Sequence, residues 1–249
     1  MPIHDPAHVR NALARFRQVS FGDEAARDRA RTRLLRAARR FRIVPVGFIT
    51  SELQSVRLDR APRARALPEG FVTMMMTDIE GSTALVQRHG HDYRQLLDDV
   101  CAVLRQYTAA SGGFEIEARA DEFFAVFDAP RAAVDAAVAV QRALGAPGRA
   151  VAVRVRIGIH SGYPTSTGTN YIGLDVNTTS RVCAVGHGGQ IVVTANAREG
   201  VQATDRSGLR FRALGAHRLR GLPEDVVLFQ VGAVGLATRF PPLRVTTRA

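Results

Sequence analysis

The stretch "FVTMMMTDIEGST", residues 71–83, ends an apolar run at the carboxylate of Asp78 and turns at once through Gly81, Ser82 and Thr83. A second carboxylate, Asp121 in "ARADEFF", lies 43 positions further on. Two acids with no cysteine or histidine partner suit a hard, oxygen-seeking dication such as Mg²⁺ or Mn²⁺, whose remaining ligands a substrate phosphate can supply. The Gly-Ser-Thr turn opens a helix, so its backbone N–H groups form a natural cradle for the same phosphates. Each acid also has a plainer reading, Asp78 as the N-cap of that helix and Asp121 as a turn former. The choice depends on whether the fold brings them together.

The elements that would do so are legible from residue 71 onward. A buried strand (71–77) leads into a long amphipathic helix carrying Leu85, Leu96, Leu97, Val100, Leu104 and Tyr107. "FEIEAR" and "FFAVF" flank a turn at "ADE" and read as a hairpin. An Ala/Val helix near 130–145 precedes "VAVRVRIGIHSG", in which Val151, Val153, Val155, Ile157 and Ile159 alternate as in a half-buried strand. The order β-α-β-β-α-β predicts an α/β (α+β) domain of ferredoxin-like arrangement, with a further helix near 176–186 and strands near 190–194, 209–213 and 227–232. In that arrangement the first strand and the hairpin are neighbours, and Asp78 and Asp121 converge at one end of the sheet.

Composition narrows the chemistry. All 34 basic residues of the 249 are arginines, so every lysine-dependent mechanism is excluded, the P-loop and the Schiff base included. Residues 1–70 hold 15 arginines and 7 acids, which puts most of the +11 net charge there and leaves the rest near neutral. Within 1–42, Ala26, Ala30, Leu34, Ala38 and Phe41 recur at helical spacing with arginines on the other face. That helix packs on the core or a partner chain, or meets a polyanion or an anionic membrane surface. A short apolar piece, "IVPVGFI", and an arginine- and proline-containing linker near 57–70 follow. The expected organisation is a mainly helical extension over 1–68, a catalytic domain over 69–233 and a tail over 234–249. Cys101 and Cys183 are too few for a disulfide or metal framework and read as core residues. No apolar run is long enough to span a bilayer and no secretion signal opens the chain, so a soluble, cytoplasmic protein is expected.

"TDIEGST", the hairpin aspartate, "GIHSG" and "VNTTSR", in this order and spacing, closely resemble the class III nucleotidyl cyclases over about residues 70–232. "ADEFF" also resembles the hairpin of diguanylate cyclases, which lack "VNTTSR". The class III resemblance implies that Asp78 and Asp121 hold two divalent ions, Mg²⁺ or Mn²⁺, with the Ile79 backbone carbonyl joining one of them. It implies that Asn177 orients the ribose, that Arg181 stabilises the transition state, and that Arg220 takes the terminal phosphates along with the Gly81–Thr83 turn. It further implies a nucleoside triphosphate substrate and a head-to-tail homodimer, with the metal aspartates from one chain and Asn177, Arg181 and the base-selecting residues from the other. His160 in "GIHSG" is a structural residue of such a fold. A nucleic-acid partner is not expected of it.

At the base pocket the chain departs from the adenylate cyclase pattern. The positions of the adenine-selecting lysine and aspartate hold Glu117 and Asn170. A carboxylate in place of a lysine swaps donor for acceptor, which disfavours adenine N1 and suits a base that presents N–H groups; guanylate cyclases carry glutamate there. Arg119 alternates onto the side of Glu117, at a position that is otherwise an aliphatic wall. It either enters the pocket, where it suits a pyrimidine carbonyl, or pairs with Glu117 or Glu115. The short chain also resembles stand-alone bacterial class III enzymes that make cyclic UMP or cyclic CMP in anti-phage defence. Tyr163 stands after "GIHSG" where many relatives have arginine, as a stacking surface for the base or an unrelated loop aromatic. Ala120 replaces the glycine usual before the second aspartate, which is harmless if its φ is negative.

The expected function is therefore a two-metal nucleotidyl cyclase, a uridylate cyclase first and a guanylate or adenylate cyclase second. A catalytically inactive nucleotide- or nucleic-acid-binding regulator is the alternative from another class.

Overall fold

The computed structural model of the chain describes residues 5–16, 24–41, 43, 66–148, 151–202 and 208–245. They fall into two compact units that divide between Ala66 and Leu67. In the first unit, α1 (Pro6–Arg15) and α2 (Glu24–Arg40) bury Val9, Ala12 and Phe16 with Leu34 and Ala38. Asp5 Oδ1 accepts the His8 N–H at 2.9 Å and caps α1. The helical reading of 1–42 thus holds as two helices, with Ala30, Leu34, Ala38 and Phe41 on the packed face and Arg29, Arg33 and Arg36 exposed. The apolar piece after Ile43 and most of the linker lie outside the described residues.

The second unit runs β1 (Val72–Ile79), α3 (Ser82–His89), a 3₁₀ turn (Gly90–Asp92), α4 (Tyr93–Ala110), β2 (Phe114–Arg119), β3 (Glu122–Phe127), α5 (Pro130–Leu144) and β4 (Val155–Gly162). There follow a small hairpin of β5 (Thr165–Ser166) and β6 (Tyr171–Ile172), then α6 (Leu174–Val185), β7 (Ile191–Thr194), α7 (Ala195–Gln202), β8 (Arg210–Arg218) and β9 (Asp225–Gly232). The main sheet has the order β2-β3-β1-β4-β7-β9-β8. Its first four strands are the expected ferredoxin-like set, antiparallel throughout, and β7 adds parallel to β4.

One expectation is corrected. The long helix behind the first strand is two helices, because Gly90 at φ +51 leaves the helical region and the 3₁₀ turn restarts the chain in a new direction. Leu85 therefore belongs to α3, and Leu96, Val100 and Leu104 form the buried stripe of α4.

Strand alternation assigns the two sheet faces. Met75 and Ile79 of β1, with Val155, Ile157 and Ile159 of β4, face a core built with α4, α5 and α7. The alternate residues face α6: Met74 and Asp78 on β1, Gly158 and His160 on β4. Both β1 faces are buried, which is why its sequence reads as a continuous apolar run.

Candidate active site

Asp78 lies near the C-terminal end of β1, in register with Glu122 of β3 and Arg156 of β4. The two-residue turn Ala120–Asp121 brings the second carboxylate close enough for its charge to act on the first. Burial lifts the Asp78 carboxyl above its ordinary pKa; Arg156 pulls it back, and the charge of Asp121 lifts it again. Arg156 Nε donates to Asp78 Oδ2 at 2.6 Å, and its Nη1 donates to the Ala184 carbonyl at 3.1 Å, tying β1, β4 and α6 together at this point. The plain reading of Asp78 as a helix cap fails, since the cap position of α3 is Gly81, at φ +70, with no side-chain cap. Ser82 and Thr83 form the first turn of α3, whose leading N–H groups have no intrahelical partner.

Arg156 balances one of the two carboxylates, and a divalent ion would balance the pair more fully. Among the described residues no cluster of three or more histidine, cysteine, aspartate or glutamate side chains could hold a metal ion by itself. Asp78, Asp121 and the Ile79 carbonyl fit a hard dication that completes its shell with water and phosphate oxygens, and fit poorly a metal wanting a full protein cage.

Ala120 corrects a further expectation. Its φ is +50, the left-handed region, at the position where the family pattern has glycine. A side chain there costs about 1–2 kcal/mol. The two-residue hairpin imposes the conformation whatever residue occupies it.

A cavity of about 330 Å³ beside Asp78 is lined by Glu117, Arg119, Asn170, Asn177 and Ser180, among others. Glu117 and Arg119 share a side of β2, as alternation requires, and form an ion pair at 2.8 Å while both line the cavity. Glu115 is engaged elsewhere, with Arg105 at 2.7 and 2.8 Å. Asn170 Oδ1 accepts the Tyr171 N–H at 2.7 Å, so its NH₂ is what it offers a ligand. Tyr163 is 72% exposed and meets Phe71 in a tilted ring contact, centroids 5.2 Å apart, without lining that cavity. Arg181 and Arg220 meet in a second cavity of about 850 Å³ on the other side of Ala184, which contains neither aspartate.

The helix carrying Asn177 and Arg181 is seated by the glycines of "GIHSG". A Cβ on Gly158 would lie 2.2 Å from the Cys183 nitrogen, and one on Gly162 would lie 2.5 Å from the Asp175 carboxylate. His160 has the structural role expected: it is buried, its Nε2 donates to Asp175 Oδ1 at 3.0 Å, and its Nδ1 lies 3.0 Å from Thr194 Oγ1. Asp175 Oδ2 accepts the Tyr163 N–H at 2.9 Å. Cys183 is fully buried, and desolvation pushes its thiol up to about 12, which suits an inert core residue.

Two residues near the carboxylates escaped the sequence reading. Arg156 was visible only as a polar residue in an alternating strand. Tyr93, the first residue of α4, has its hydroxyl held above the ordinary value by burial and by the charges of Asp121 and Asp78.

Residues 65–232 match the family model of the adenylate and guanylate cyclase catalytic domain. A protein of Mycobacterium tuberculosis H37Rv described as uncharacterised is 31% identical over 183 residues, 73% of this chain and 62% of the relative. A receptor-type adenylate cyclase of Trypanosoma brucei brucei is 30% identical, over 71% of this chain and 18% of its own length. The chain thus spans less than two thirds of these relatives. A solved structure of a Trypanosoma brucei adenylate cyclase in its monomeric state superposes with a TM-score of 0.65 at 28% identity, covering 76% of this chain and 99% of that one. With the fold, the carboxylate corner and the "VNTTSR" helix in agreement, the chain belongs to the family of class III adenylate and guanylate cyclase catalytic domains.

Proposed function

We propose that the protein is an active nucleotidyl cyclase that converts a nucleoside triphosphate, UTP before the others, to its 3′,5′-cyclic monophosphate and pyrophosphate. The observation that carries the reaction class is the convergence of Asp78 and Asp121 beside the Gly81–Thr83 turn, in a domain that also presents Asn177 and Arg181. The ribose 3′-oxygen attacks the α-phosphorus, its proton is lost, and the bond to the bridging oxygen breaks to release pyrophosphate. When bound, divalent ions held by Asp78, Asp121 and the Ile79 carbonyl would acidify the 3′-hydroxyl and offset charge on the leaving group. Asn177 orients the ribose, Arg181 meets charge developing on the transferring phosphorus, and Arg220 binds the terminal phosphates in a bidentate manner. Asn177 lines the cavity of Asp78, whereas Arg181 and Arg220 line the other; that division of the arginines from Asp78 supports a homodimer whose sites form between chains, aspartates from one and arginines from the other.

The base preference follows from hydrogen-bond pattern. The edge of uracil presents acceptor, donor, acceptor (O4, N3–H, O2). The cavity offers a donor from Arg119, an acceptor from Glu117 and a donor from the Asn170 amide. Arg119 already occupies Glu117 Oε1, which leaves Oε2 for one N–H of a base. Production of cyclic UMP would fit the anti-phage signalling role of the stand-alone pyrimidine cyclases. The second reading is a purine cyclase. The relatives named adenylate cyclases favour ATP, and a glutamate that accepts both N1–H and N2–H favours GTP.

The test is incubation with equimolar ATP, GTP, CTP and UTP plus Mn²⁺, with cyclic products identified by mass spectrometry and Asp78→Ala as the blank. Cyclic UMP as the main product is expected. Cyclic GMP or AMP would overturn the base assignment and leave the reaction class standing, and the absence of any product would overturn both.

A further inference from the structure

The segment Ala233–Val245 lies beyond the matched cyclase domain, yet it is built into the second unit. Gln230 Nε2 donates to the Thr238 carbonyl at 3.1 Å, His187 Nε2 to the Pro242 carbonyl at 2.9 Å, and Arg244 N–H to the Val185 carbonyl at 2.9 Å. Leu243 and Val245 pack on the cluster of Val182, Val185, Leu219 and Leu222. The segment is a strap, and its end carries Arg244 into the larger cavity beside Arg181 and Arg220.

The residues lining that cavity include four arginines and no acid. Arg218 is neutralised by Asp225 at 2.8 Å. Arg244 is held along one edge: its Nη2 donates to Glu80 Oε1, and its Nε donates to His187 Nδ1 at 3.3 Å. Those contacts use two of the five N–H donors of a guanidinium and leave three for a ligand. Glu80 thus fixes one edge of the Arg244 guanidinium from the segment between β1 and α3. Cations gathered on one cavity repel one another, and a chain of phosphates relieves that repulsion while taking planar, bidentate hydrogen bonds from each.

We propose that Arg244 is a substrate-binding residue: from a strap outside the catalytic domain it grips the terminal phosphates of the nucleoside triphosphate together with Arg220, beside Arg181. Glu80 is then a positioning residue, which presents the guanidinium edge-on to the cavity. The inference rests on the cyclase reading, and its test separates the two.

Titration calorimetry with inorganic tripolyphosphate in metal-free buffer measures the cavity directly, and steady-state kinetics measure its use. Arg244→Ala should weaken tripolyphosphate binding and raise KM by about tenfold each, with a smaller effect on kcat, as loss of one charge-assisted contact requires. Arg244→Lys keeps the strap packing and a point charge and should recover part of the loss. An Arg244→Ala protein with a lower thermal midpoint but wild-type tripolyphosphate affinity would reduce Arg244 to a structural residue and overturn the proposal. Loss of affinity in Arg220→Ala alone would do the same and leave the cyclase reading intact. Tripolyphosphate binding that depends on Arg244, in a protein that forms no cyclic product, would uphold the anion site and overturn its use in cyclisation.

Discussion

Burial and the nearby Asp121 both disfavour the charge on Asp78, and Arg156 opposes them without cancelling them, so the carboxyl stays above its ordinary value. A group whose pKa is raised in the folded state contributes stability that is complete below its unfolded value and is lost as pH rises through the folded one. The metal-free protein should therefore lose stability to Asp78 as pH rises from about 4 toward neutral. Asp78→Asn imitates the protonated carboxyl and should escape that loss. Thermal midpoints in EDTA across this window should show the variant gaining on the wild type as pH rises, and Mn²⁺ should stabilise only the wild type; a constant difference would remove the argument. Ala120 makes the second prediction at this scale. Its left-handed conformation is one that glycine adopts without steric cost, so Ala120→Gly should stabilise the fold by up to about 1 kcal/mol in urea unfolding, after the entropy of glycine in the unfolded chain is subtracted. Destabilisation would mean that the turn does not hold this φ.

Between strands and helices, the decisive contact is that of β4 with α6. Gly158 faces α6 because Ile157 and Ile159 face the opposite core, and the helix backbone at Cys183 comes so close that no Cβ fits. The obstacle is main chain and cannot swing aside. Gly158→Ala should cost about 2–3 kcal/mol in denaturant unfolding and shift the helix that carries Asn177 and Arg181, lowering kcat as well. Full stability with normal turnover would contradict this packing. Much of this level was legible beforehand: β1 and β4 by their apolar runs and period-2 alternation, the hairpin by its turn residues, and α5 by its Ala/Val pattern. What escaped depended on information that hydropathy does not carry. The sign of φ at Gly90 and Ala120 is invisible to periodicity, so the helix break and the strained turn were missed. Arg156 meets Asp78 through register across two strands, and the strap holds its place with scattered backbone bonds and two apolar side chains.

At the scale of the whole molecule, the separation of Asp78 from Arg181 and Arg220 matters most. Asp78 lines one cavity, Arg181 and Arg220 line another, and Ala184 of α6 is the wall between them. On the proposed dimer, a phosphate chain bound at the carboxylate corner of one chain would meet Arg181 and Arg220 of the second, and activity would be a property of the pair. In a head-to-tail dimer each of the two sites takes its aspartates from one chain and its arginine from the other. A dimer of one Asp78→Ala chain and one Arg181→Ala chain concentrates both lesions in a single site and leaves the other intact. Each variant alone should be inactive. An equal mixture allowed to exchange partners forms such mixed dimers half the time, each with one working site of two, so it should recover about a quarter of the wild-type rate per chain. The recovered activity should also fall on dilution as the dimer dissociates. If the mixture stays as inactive as its components while sedimentation shows that the chains do exchange, both groups must act within one chain, and the separation of the two cavities must close by movement of α6 instead.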